Sequence, residues 1–214
     1  MKNKFLPVSI ISHELLNYIC SISGLLQLLE SKDNLSTSNE YLRYVFDSLE
    51  KLQLSIEDIS LLSNIESGRI QKKVNEICVY DELRFVKDTH FSEFPNNIEV
   101  IKNEDEIILH NDEKFFNELI KRVFSLAVNN SSIVKVHVEQ LKDYVKISFY
   151  FNKISYLKEC FDYKIDKVEN RILFLKVSVI ESLVDFLNAH IESKETDNAF
   201  ILKIIFNSNS SETG

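Results

Sequence analysis

The chain has 214 residues, of which 44% are hydrophobic and 27% are charged, the composition of a soluble globular protein with one domain or two small ones. Its formal net charge is −8 and it has no basic stripe, which excludes binding to a nucleic-acid backbone as an expected function. No apolar run approaches the length of a membrane span. We therefore expect no membrane attachment and a cytoplasmic location.

Cysteine and histidine are arranged without the spacing of a metal or disulfide site. The three cysteines lie far apart with no Cys-x-x-Cys pair, which predicts free thiols in a reducing compartment: Cys20, Cys78 and Cys160. Four of the five histidines fall in separate predicted elements. We therefore predict no disulfide and no metal site.

Glycine is scarce, with only three in the chain: Gly24, Gly68 and Gly214. Loops that cradle phosphates need glycine, because a side chain keeps the backbone amides away from the phosphate oxygens. The scarcity therefore argues against a conventional nucleotide site.

Two long amphipathic helices are predicted in the first third of the chain. In the first, apolar residues alternate at spacings of three and four, which is a heptad seam: Val8, Ile11, Leu15, Tyr18, Ile22, Leu25 and Leu29. A polar turn at residues 31–38 precedes a second helix, predicted from about residue 39 to residue 66, with the seam Leu42, Val45, Leu49, Leu52, Ile56, Ile59 and Leu62. Gly68 then stands where helices end in a left-handed residue. The two helices are expected to form an antiparallel hairpin domain at residues 1–68.

A single hairpin cannot bury apolar stripes as wide as these two. Pairing with a second copy completes the core as a four-helix bundle. We therefore predict a homodimer.

His13 lies on the helix face opposite the first seam. Five small or polar residues share or flank that line: Ser9, Asn17, Cys20, Gly24 and Gln27. One interpretation is a solvated helix face that happens to contain a histidine. The other is a docking surface with a nucleophilic imidazole at its centre, because a neutral imidazole has a lone-pair nitrogen that can attack phosphorus.

The neighbours of His13 indicate how such a surface works. Glu14 can orient the ring or accept its second proton, and Asn17, one turn on, can hold a water in line for hydrolysis of a partner's acyl phosphate. These three are the candidate catalytic residues. The candidate partner-binding residues surround them: Ser9, Ser12, Leu16, Cys20 and Gly24.

Residues 11–15 and 22–29 carry a family resemblance. The run Ile-Ser-His-Glu-Leu followed by Ile-Ser-Gly-Leu-Leu-Gln-Leu-Leu resembles the phosphoacceptor box of sensor histidine kinases. Leu-Asn-Tyr at 16–18 stands where that family usually continues with Arg-Thr-Pro, but the Glu-x-x-Asn spacing still resembles the family's phosphatase motif. Residues 58–68 resemble the family's junction between the histidine helices and the catalytic domain.

Residues 69–207 alternate strand-like and helix-like patterns, which predicts an α/β domain with a mixed sheet covered by helices on one face. The predicted elements are a strand entering a short helix at 78–86, strands at 98–101 and 106–110, a helix at 112–128, a strand hairpin at 133–138 and 144–151, a helix at 173–189 and a strand at 199–206. This order resembles the Bergerat ATP-binding fold of histidine kinases. The whole chain is thus expected to be α+β, a helical hairpin followed by an α/β sandwich, with a disordered polar tail at 208–214.

The resemblance also identifies the positions at which the family binds ATP, and this chain departs from the pattern at each. Arg122 and Leu126 replace the asparagines that hold the metal and phosphates, and Phe151 replaces the aspartate that reads adenine. Phe-Leu-Lys at 174–176 replaces Gly-Leu-Gly. Magnesium needs oxygen ligands and phosphates need close backbone amides, which these residues do not supply. No bound cofactor is expected, and Mg²⁺ is expected only from a partner receiver domain.

These features predict a histidine phosphotransferase that relays phosphoryl groups between receiver-domain aspartates through a phosphohistidine, without ATP. In architecture the chain is similar to the histidine phosphotransferases of the alphaproteobacterial cell-cycle phosphorelay and of sporulation in bacilli. The expected partners are receiver domains of response regulators or of hybrid kinases. Three alternatives stay open: a non-catalytic pseudo-histidine-kinase that regulates a response regulator or a kinase, a protein that chiefly dephosphorylates its receiver with Asn17, and, ranked last, an active ATP-dependent kinase.

Overall fold

The computed structural model describes residues 8–30, 35–93, 97–101, 106–129, 131, 133–154, 157–162 and 171–207, without the side chains of residues 8–14, 30, 35–40 and 171–172. The tail predicted at 208–214 lies outside the described residues. The chain divides into two compact units, Met1–Glu66 and Ser67–Gly214.

The first unit is a helical hairpin. Helix α1 spans Val8–Glu30 and helix α2 spans Leu35–Glu66, and the two pack against each other. Gly68 has a φ of 63°, which confirms the predicted left-handed stop after α2. Helix α2 begins earlier than predicted. Residues 35–38 form its first turn, where serine and threonine are favoured because the first backbone N–H groups have no intrahelical acceptors.

The buried side of α2 is narrower than its predicted seam. Val45 and Leu62 are buried. Leu42, Leu49 and Ile56, which the spacing also assigned to the seam, are 39%, 43% and 52% exposed. A single facing helix covers an arc of only about 100° of its partner's surface. The predicted seam is therefore two adjacent stripes, one against α1 and one that this chain leaves exposed.

The second unit is an α/β sandwich. Its five-stranded sheet consists of β2 (Ile98–Ile101), β4 (Val134–Leu141), β5 (Tyr144–Asn152), β7 (Ala199–Asn207) and β6 (Ala189–Glu195), in that spatial order. Strand β2 is parallel to β4 and the other neighbours are antiparallel, so the predicted mixed sheet is confirmed. A separate antiparallel ribbon pairs β1 (Asn75–Cys78) with β3 (Ile108–Asn111).

Helices cover one face of the sheet, as predicted. They are α3 (Val79–His90), α4 (Glu113–Val128), α5 (Leu157–Phe161) and α6 (Arg171–Phe186). Alternate residues of the central strands form the core beneath them: Val145, Ile147, Phe149, Phe151, Phe200, Leu202, Ile204 and Phe206. Phe124 of α4 meets Phe149 of β5 edge-on, with ring centroids 6.0 Å apart. The α+β class is confirmed, although several boundaries differ.

Three predictions in this unit are wrong. The strand expected from residue 78 lies earlier, and the helix after it already begins at Val79. The helix expected to reach residue 189 ends at Phe186, because Asn188 adopts a φ of 55° and turns the chain into β6. Strand β6 and the short helix α5 had no predicted counterpart, since an edge strand that alternates histidine, glutamate and lysine gives little apolar signal.

The side chain of Asp112 forms hydrogen bonds both with the first turn of α4 and with the backbone of Lys73, which precedes β1. Its side chain is buried, and one carboxylate oxygen accepts a hydrogen bond from the backbone N–H of Phe115 at 3.1 Å, which caps α4. The other oxygen accepts from the backbone N–H of Lys73 at 2.7 Å. The neighbouring Asn111 donates from its side-chain amide to the carbonyl oxygen of Leu187 at 2.9 Å, just after α6.

We expect Asp112→Ala to lower the free energy of unfolding by about 2–4 kcal/mol, because it removes a cap and leaves two backbone donors without acceptors. The measurement is urea unfolding followed by circular dichroism. Asp112→Asn keeps an amide oxygen as acceptor and should lose less than half as much, and Glu113→Ala, at an exposed neighbour, is the control. Equal losses for Ala and Asn would contradict the hydrogen-bond explanation.

Candidate functional site

The candidate catalytic residues lie in the N-terminal half of α1. The backbone of Ser9, Ser12, His13 and Glu14 is helical, while their side chains are outside the described part of the chain. Asn17, one turn beyond His13, is exposed. The helical spacing on which the site prediction depends is therefore present, and the catalytic roles stay predictions.

An exposed apolar stripe runs beside this face and was only partly predicted. It contains the docking candidate Leu16, which is 57% exposed, and Phe46, which at 66% is the most exposed large apolar side chain among the described residues. We define the apolar stripe as Leu16, Ile19, Leu26, Leu42, Phe46, Leu49 and Ile56. Phe46 was missed as a member, although its place four residues after Leu42 and three before Leu49 is the signal of a shared helix face.

Both halves of the apolar stripe face the same side of the hairpin. By helical spacing the stripe lies roughly a quarter turn from the seam on each helix, in the same rotational sense along the chain; the seam of α1 is half-buried and that of α2 includes buried Val45 and Leu62. Because the helices run antiparallel, equal rotations bring the two halves to one side. Leu16 and Ile19 are the members of the stripe from the middle of α1, and Phe46 and Leu49 are members from α2.

Gly24 lies in the middle of α1, eleven residues after His13. A Cβ built at this position meets no heavy atom within 4 Å, and the described glycine with positive φ is Gly68, not Gly24. A glycine inside a helix costs about 0.5–1 kcal/mol relative to alanine. Neither the backbone nor the packing of this chain requires glycine here, which is consistent with close approach by another molecule. Cys20, also a docking candidate, is exposed on the same helix.

In the second unit three of the four residues named at the expected ATP-ligand positions are buried, and Arg122 is half-buried. Leu126 of α4, Phe151 of β5 and Phe174 of α6 are at most 3% exposed. Arg122 of α4 pairs with Glu118 one turn earlier, with the nearest nitrogen and oxygen 2.8 Å apart. These side chains are directed into packing and pairing within the domain.

Helix α5 adds further apolar side chains to this region. The Phe200 ring packs against Phe151 at a centroid distance of 5.4 Å and stacks on Phe161 of α5 at 6.0 Å. Leu157 and Cys160 of α5 are fully buried. Burial raises the pKa of the Cys160 thiol to about 11, which keeps it protonated and unreactive at neutral pH. The spacing of three and four between these α5 residues is the sequence signal by which the helix was identifiable.

No three histidine, cysteine, aspartate or glutamate side chains come together as metal ligands in the described part of the chain. Within the same residues, no helix combines the length and apolar character needed to cross a membrane.

The comparison with protein families identifies the first unit. Residues 6–68 match the model of the family described as the His Kinase A (phospho-acceptor) domain. His13 lies within this match. No curated protein matches the chain significantly.

Solved structures similar to the chain are histidine kinases. AdeS from Acinetobacter baumannii has a TM-score of 0.73 at 15% identity, over 92% of this chain and 98% of that one. ThkA, in complex with the response regulator TrrA, has a TM-score of 0.72 at 14% identity, over 96% of this chain and 62% of that one. Full-length ShkA in complex with AMPPNP has a TM-score of 0.62 at 12% identity, over 97% of this chain and 47% of that one.

At these identities the structural likeness shows the fold. The helical hairpin followed by an α/β sandwich is the arrangement found in histidine kinases, as the resemblance of the sequence implied. The chain therefore has the fold of histidine kinases, and residues 6–68 match the His Kinase A (phospho-acceptor) domain.

We expect Gly24→Ala to raise the free energy of unfolding of the hairpin by about 0.5–1 kcal/mol, because alanine is the better helix former and its methyl group meets no atom of the chain. Thermal unfolding followed at 222 nm measures the change. Gly68→Ala is the matched control and should destabilise, since its φ is left-handed. A destabilised Gly24→Ala would mean that the glycine serves the chain's own packing.

Proposed function

We propose that the protein is a histidine phosphotransferase that relays phosphoryl groups between receiver-domain aspartates without using ATP. The observation that carries the proposal is the phospho-acceptor match around His13, in a chain whose expected ATP-ligand positions are buried apolar residues or a paired arginine. The chain thus has the fold of a kinase and a candidate phospho-acceptor histidine. At the expected ATP-ligand positions, however, it lacks the polar groups that would hold a nucleotide for phosphorylation of that histidine.

In the proposed reaction, His13 attacks the phosphorus of an aspartyl phosphate on a docked receiver. The lone pair of one neutral ring nitrogen forms the N–P bond while the bond from phosphorus to the aspartate oxygen breaks, and the aspartate leaves as a carboxylate. The proton on the other ring nitrogen passes to Glu14 or to water. The reverse sequence on a second receiver returns His13 to its starting state.

The divalent ion for this reaction would come with the receiver. Phosphoryl transfer develops charge on the phosphoryl oxygens, which a cation bound by the receiver can stabilise. Asn17 would hold a water in line when the aspartyl phosphate is hydrolysed instead of transferred. The exposed amide of Asn17, one turn from His13, is compatible with this second role.

The second unit supports the part of the proposal that excludes ATP as the phosphoryl donor. Magnesium and phosphate need oxygen ligands and closely approaching amides, and Leu126, Phe151 and Phe174 offer neither. The sequence has no glycine between Gly68 and Gly214 to form a phosphate-binding loop. The second unit would then serve receiver docking as a scaffold.

The partners would be receiver domains of response regulators or hybrid kinases, together with a second copy of this chain. Among the similar structures, ThkA is in complex with a response regulator. The apolar stripe supports the homodimer, because seven exposed apolar residues on one side of a hairpin provide a surface that a second hairpin can cover.

The transfer reaction has a direct test. The purified protein is incubated with radiolabelled ATP, with radiolabelled acetyl phosphate, and with receiver domains from the same genome that acetyl phosphate has labelled. We expect label on His13 only from a receiver, and His13→Gln should lose that label while staying dimeric. Label from ATP would contradict an ATP-free phosphotransferase. A chain that takes label from no receiver but still binds one would instead be a pseudokinase.

The homodimer has its own test. Phe46→Asp is expected to raise the dimer dissociation constant at least about a hundredfold, because each copy loses a buried aromatic ring and introduces a charge into the interface. Sedimentation velocity measures the change. Phe85→Asp is the matched control, since Phe85 of α3 is 55% exposed in the other unit and should leave the dimer intact. A dimeric Phe46→Asp would rule out the apolar stripe as the interface.

A further inference from the structure

We draw no further inference here: the strongest candidate, the face of the five-stranded sheet that the helices leave uncovered, carries nothing because Lys146 and Lys203 at its centre already pair with Glu139 and Glu192 of the same face and nothing in the structure shows what covers it.

Discussion

Helix α1 has to provide three surfaces at once: the contact with α2, part of the apolar stripe and the side on which His13 is predicted to lie. Helix α1 packs one side against α2 and offers a second side to the apolar stripe, and helical spacing predicts a third for His13. With 3.6 residues per turn, each side of the helix receives a position only about every third or fourth residue. Leu16 belongs to the apolar stripe and directly precedes Asn17, a candidate catalytic residue, so these two surfaces adjoin. A substitution on one side of α1 is therefore expected to affect the adjoining side as well.

The second unit has the α/β fold of histidine kinase structures, and three of the residues at its expected ATP-ligand positions belong to its apolar core. Leu126, Phe151 and Phe174 are buried, and α5 contributes Leu157 and Cys160 to the same apolar region. Apolar packing of this kind stabilises a domain by roughly 1.5–3 kcal/mol for each fully buried large side chain, whereas an unfilled polar pocket contributes little. These buried side chains therefore contribute to the stability of the second unit.

Charge is sparse on α1, whose 23 residues include only Glu14 and Glu30 as acidic side chains and no lysine or arginine. The whole chain is acidic, with 33 acidic and 25 basic side chains, and long-range fields from such a surface act on any charged partner.

The sequence by itself determined the two long helices of the hairpin, the mixed character of the sheet and the position of His13 in α1, because heptad spacing, alternation and the stop at Gly68 are local signals. It also predicted apolar residues at the expected ATP-ligand positions, and Leu126 and Phe151 are buried. Only the tertiary structure divided the α2 seam into a buried stripe and an exposed one, since periodicity cannot reveal how wide an arc a neighbour covers. Strand β6 and the left-handed turn at Asn188 likewise depend on pairing with β7, a contact between chain segments that no local pattern encodes.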